Sequence, residues 1–82
     1  MTVKESILVI LNKNINVEFS TNEITELIIK NNLYDFEKAK YPTKVVGSEL
    51  NKMIKGNEPY LYVDKNKKPF LYYFMKDKQW IK

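Results

Sequence analysis

Lys44, Ser48, Asn51, Lys52 and Lys55 are the residues of this sequence best placed to do chemistry together. At about a hundred degrees per residue they fall on one face of a single helix, with Val45 and Glu49 at its edges. Ammonium groups reach phosphate oxygens, and a carboxamide and a hydroxyl can bond base edges, which is what a helix in a DNA major groove requires. Asn51 is the candidate for reading a base, because a carboxamide can bond adenine bidentately, and Val45 could meet a thymine methyl. The plain alternative is a solvated lysine-rich face. A second cluster, Lys65, Asn66, Lys67 and Lys68, lies between two strand-like runs, where it would neutralise phosphates. Polar turns charged to prevent edge-to-edge aggregation look the same. Tyr60, Tyr62, Tyr72 and Tyr73 could stack unpaired bases, or they could serve as core and edge residues of a small sheet.

The inventory of other chemistry is thin. The chain has no histidine and no cysteine, which removes the commonest general base, a thiol nucleophile and the usual zinc ligands. Gly47 and Gly56 are the only glycines, too few for a phosphate-cradling loop. No catalytic residue, metal or cofactor is therefore expected. The longest uninterrupted apolar run, Ile7 to Leu11, is far too short for a bilayer span, and the N-terminus lacks a signal-peptide pattern. These readings predict a cytoplasmic protein with no membrane contact.

Charge is unevenly distributed. Residues 1–37 hold three lysines against six acids, and residues 38–82 hold eleven lysines against four, giving halves of −3 and +7. A polyanion should meet the second half. Every basic residue is lysine, so the bidentate arginine contact to guanine is not available.

Eighty-two residues suffice for one domain with one modest core. Thr2 to Glu5 and Ser20 to Glu23 both have the form of a capping box. Val3, Ile7, Leu8, Ile10 and Leu11 predict a first helix over about 3–13, stopped by Asn12 to Asn16. Val17 to Phe19 is expected as a short edge strand or an extended connection. Ile24, Leu27 and Ile28 predict a second helix ending near Asn31. Leu33, Tyr34 and Phe36 should pack as a hydrophobic turn, with Glu37, Lys38 and Lys40 in solvent. Val46, Leu50, Met53 and Ile54 form the buried stripe of a third helix, with Pro42 in its first turn and Gly56 as its left-handed stop. Beyond it the period changes from 3.6 to 2. Residues 60–63 and 70–75 read as a hairpin, with either Phe70, Tyr72 and Phe74 or Leu71, Tyr73 and Met75 covering the helices. Trp80 is expected to pack back on the domain, unless it marks a contact surface toward the rest of a longer chain.

Helix, short strand, helix, helix and hairpin is the order of an α+β winged helix, whose third helix enters a groove while the hairpin loop, the wing, touches the adjacent backbone. The second and third helices are joined by about ten residues, longer than the turn of a minimal helix-turn-helix. TVKESILVILNKN, FSTNEITELIIKNNLY and PTKVVGSELNKMIKGNEPYLYVDKNKKPFLYYF resemble the HARE-HTH module, a winged helix found in restriction endonucleases, in additional-sex-combs-like chromatin proteins and in the delta subunit of bacterial RNA polymerase. The telling parts are Glu23-Ile24-Thr25 in the second helix, the third helix from Pro42 through Ile54-Lys55-Gly56, and the aromatic last strand. The resemblance implies an accessory or targeting module of a DNA-processing, restriction-modification or transcription protein, nucleoid-associated where it binds double-stranded DNA. The alternative is a protein-interaction winged helix that docks on a larger enzyme or polymerase complex, through its acidic first half or its aromatic hairpin, or one fused to a catalytic domain.

Overall fold

Reciprocal capping boxes start the first two helices of the computed structural model, which describes residues 1–37 and 39–75. For α1, Val3–Lys13, the Thr2 hydroxyl accepts from the Glu5 N–H at 3.1 Å, and the Thr2 N–H donates to the Glu5 carboxylate at 2.8 Å. For α2, Thr21–Lys30, Ser20 and Glu23 repeat the exchange at 3.2 and 2.8 Å. Two otherwise orphaned backbone donors are satisfied at each start. α3, Pro42–Lys55, has no side-chain cap; Tyr41 holds the N-cap position and Pro42, which has no N–H to satisfy, takes the first helical position.

Asparagine ends all three helices. Asn16 follows α1 with φ 65°, Asn32 follows α2 with φ 53°, and Asn57 follows α3 with φ 58°. After α2 the Asn32 and Leu33 N–H groups donate to the Ile29 and Ile28 carbonyls, and after α3 the Asn57 and Glu58 N–H groups donate to those of Ile54 and Met53. Both pairs form the Schellman pattern that satisfies last-turn carbonyls. Gly56 is thus not the left-handed stop its composition predicts. Its φ is −85°, and the left-handed residue comes one position later, where a short amide side chain tolerates the conformation.

The strands are β1, Phe19–Ser20; β2, Leu61–Asp64; and β3, Leu71–Phe74. They form an antiparallel sheet in the order β1-β3-β2, with Phe19 opposite Tyr72, Tyr62 opposite Tyr73 and Leu61 opposite Phe74. β1 is an edge strand as expected, but it starts two residues later than the sequence predicts, leaving Val17 exposed. β2 is displaced by one residue from the expected span, because Tyr60 has φ 68° and cannot continue a strand. The Asp64 carboxylate accepts from the Asn66 N–H at 3.0 Å, starting the turn. β3 is shorter than expected at both ends, and Phe70 lies outside it, 42% exposed.

Helices and sheet enclose one core. Ile7, Leu11, Ile24, Ile28, Val46 and Leu50 are completely buried, joined by Ile10, Met53, Leu61, Tyr72 and Phe74. Of the two candidate strand faces, Tyr72 and Phe74 cover the helices while Leu71 and Tyr73 stay half-buried on the other side. Eleven residues, 31–41, connect α2 to α3. Phe36 is buried there, its ring 4.9 Å from that of Tyr34, and Leu33 packs on the core. The fully buried Ser6 hydroxyl lies within hydrogen-bonding distance of the Thr2 carbonyl, 3.0 Å, and the Leu33 carbonyl, 3.3 Å. α1 is thereby tied to this connection. Glu37 and Lys40 are exposed; Lys38 and Trp80 lie outside the described residues. No helix among the described residues is long and apolar enough to cross a membrane.

Ser20→Ala removes a cap and should cost about 1 kcal/mol. Ser48→Ala, on the exposed face of α3, should cost less than about 0.5 kcal/mol; urea melts of the two variants check both. Burial raises the Tyr72 pKa above its ordinary 10.0. The unfolded phenol then releases its proton at lower pH than the folded one, so stability should be full below pH 10 and fall above it. Tyr72→Phe should lose less stability than wild type over that alkaline range in the same melts.

Candidate nucleic-acid interface

The rotation of α3 about its axis is fixed by what it buries. Val46, Leu50 and Met53 face α1, α2 and the sheet, and Ile54 packs beside them. The opposite side must then face water, and Lys44, Ser48, Asn51, Lys52 and Lys55 are all exposed there. Val45, 37% exposed, borders the face, and Glu49 is half-buried on its flank. Among the described residues, none of Lys44, Lys52 and Lys55 takes part in an ion pair. The face carries three cations, one hydroxyl and one carboxamide.

Two contacts at the start of α3 extend this face. The Lys44 ammonium lies 5.0 Å from the centre of the Tyr41 ring, and that of Lys40 lies 5.6 Å from it. Both are within cation–π range, so the exposed tyrosine holds two positive charges beside the helix N-terminus. The sequence carries a signal for half of this arrangement: Tyr41 and Lys44 are three apart, which places them on one side of a helical turn.

Lys65, Asn66, Lys67 and Lys68 occupy the turn between β2 and β3, and all four are exposed. Lys67 is engaged within the molecule. Its ammonium lies 3.3 Å from a Glu18 carboxylate oxygen, beside β1. α3 packs on β2, at the other edge of the sheet, so this lysine is drawn away from the α3 face. Lys65 and Lys68 have no ion-pair partner among the described residues. The predicted interface residues therefore form two groups, five positions on one helix face, three of them lysine, and four in one turn, again three of them lysine. Lys4 and Glu58, paired at 3.2 Å, join the start of α1 to the segment after α3; nothing in the local patterns of either segment announces this contact.

The tyrosines divide. Tyr72 is core, whereas Tyr62 and Tyr60 are 48% and 52% exposed. Tyr62 stacks on Tyr73 across the strands, with ring centres 5.8 Å apart and planes at 26°.

No protein-family model, curated protein or solved structure matches the chain. Exposed ion pairs contribute little to stability, so Glu18→Gln should shift unfolding by less than about 1 kcal/mol, read by thermal melting.

Proposed function

We propose that the domain binds double-stranded DNA, with α3 in the major groove and the turn lysines on the flanking backbone. The observation that carries this reading is the outward face of α3, where three lysines, a serine and an asparagine are presented together by a helix whose other side is locked into the core. Lys44, Lys52 and Lys55 contact phosphates, and Asn51 reads a base edge. Lys65 and Lys68 add phosphate contacts, and Lys67 can exchange its exposed carboxylate partner for a phosphate at little cost. The order of elements supports a winged-helix geometry of this kind. The resemblance to the HARE-HTH module, which rests on the sequence motifs, supports an accessory role in DNA processing or transcription, in the cytoplasm and on the nucleoid, without catalysis of its own.

A second reading, docking on a larger protein, is favoured by the outer side of α2. Glu23 and Glu26 are exposed beside a groove of about 340 Å³ that also involves Phe19, Leu27 and Lys30. Glu23 is committed to its capping box, so Glu26→Lys is the clean probe of that surface.

Binding of a labelled AT-rich duplex of about twenty base pairs, measured between about 50 and 200 mM salt, tests the DNA reading. Affinity should fall steeply with salt. Lys52→Ala should weaken binding evenly across sequences and lower the salt slope by about one unit, while Asn51→Ala should flatten sequence preference. A variant with Lys44, Lys52 and Lys55 all changed to Glu that still bound like wild type would exclude this face.

A further inference from the structure

The sheet has a second surface that duplex binding through α3 does not use. Leu61, Val63, Tyr72 and Phe74 point toward the helices, so Tyr62 and Tyr73, paired across the strands, lie on the opposite side. β2 is an edge strand. The Tyr62 ring stacks on that of Tyr73 and is half exposed, and no strand other than β3 pairs with β2 among the described residues. An open groove of about 490 Å³ runs along that edge, lined by Tyr60, Tyr62, Leu61, Val63, Asn57 and one acid, Glu58, among others.

Charge around this groove selects the kind of ligand. Lys55 lies beside it at the end of α3, and Lys65 and Lys68 lie beyond β2 in the turn, all exposed. Glu58, which lines the groove, is paired with the Lys4 ammonium, and Asp64, at the end of β2, keeps its charge while accepting from the Asn66 N–H. An apolar peptide would leave these lysines uncompensated. A polyanion with flat, unpaired rings would use both the aromatic wall and the lysines. A duplex cannot supply such rings, because its bases are already stacked on one another.

We propose that Tyr62, Tyr60 and Asn57, with Lys55, Lys65 and Lys68 shared with the duplex surface, form a binding site for single-stranded DNA. One base stacks on the half-exposed ring of Tyr62 and a neighbour lies against Tyr60, with the Asn57 carboxamide at a base edge. The choice of DNA over RNA rests on the duplex reading, since Lys55, the last residue of the α3 face, follows directly on Ile54, which lines the groove.

The test uses fluorescence anisotropy of a labelled oligothymidylate of about twelve nucleotides, with the AT-rich duplex as a separate probe. Wild type should bind the oligothymidylate. Tyr62→Ala should weaken that binding about tenfold, and Tyr62→Phe should retain it, because the ring face is kept. Neither should change duplex affinity. Residue 62 sits on the exposed side of the sheet, and matching thermal melts would show that the variants fold. Failure of wild type to bind the oligothymidylate overturns the proposal, as does a Tyr62→Ala variant that binds like wild type or a Tyr62→Phe variant as weak as alanine. Tighter binding of an oligouridylate of the same length overturns the assignment to DNA. Retained single-strand binding with no duplex binding overturns the α3 reading and supports this site.

Discussion

Burial of Val46, Leu50 and Met53 is the constraint on which the rest of this molecule depends. These side chains touch α1, α2 and the sheet, so α3 cannot turn about its axis without lifting apolar surface into water. A completely buried leucine such as Leu50 is worth several kcal/mol against truncation, on the order of 2–5. No polar contact at the surface approaches that figure. The lysine-bearing face is therefore positioned by the hydrophobic side of the same helix, and its own charges contribute little to holding it in place.

β3 has a similar double role at the sheet. As the central strand it pairs with β1 on one side and β2 on the other, and its alternation divides the aromatic residues into Tyr72 and Phe74 inside and Tyr73 outside. A small sheet with a single buried face leaves its other face to be settled by composition. Here that composition is aromatic on one strand pair and cationic at the adjoining turn, an arrangement that packing alone does not require.

The helices and their faces were legible in the sequence because two independent signals coincide in each. S/T-x-x-E stands at the start of an apolar stripe in both α1 and α2, and in α3 Pro42 and the Val46, Leu50, Met53 spacing play those parts. The hydrophobic turn at Leu33, Tyr34 and Phe36 was legible for the same reason, as apolar residues between two helical periods. The details that were missed depend on single backbone angles. Gly56 is the residue whose type favours a left-handed stop, but the left-handed residue comes one position further on, and Asn57 is able to adopt the angle. Tyr60 at φ 68° carries no mark in its side chain, so the start of β2 could not be located. At the candidate interface the exposed residues were legible from helical periodicity. The Lys67–Glu18 pair was not, because it joins residues 49 apart and depends on how the turn leans over the sheet.

The two-residue length of β1 has a consequence for how the chain assembles. Its partners, Leu71 and Tyr72, lie about fifty residues further on, whereas the contacts of α2 with α1 and with α3 close over shorter stretches. Closing the longer loop costs more chain entropy, and so few ladder bonds cannot repay it alone. During synthesis the helices can therefore condense first, with Phe19 and Ser20 held in place as the extended lead-in to α2. The hairpin then arrives on an assembled helical platform, and β1 serves as its landing edge.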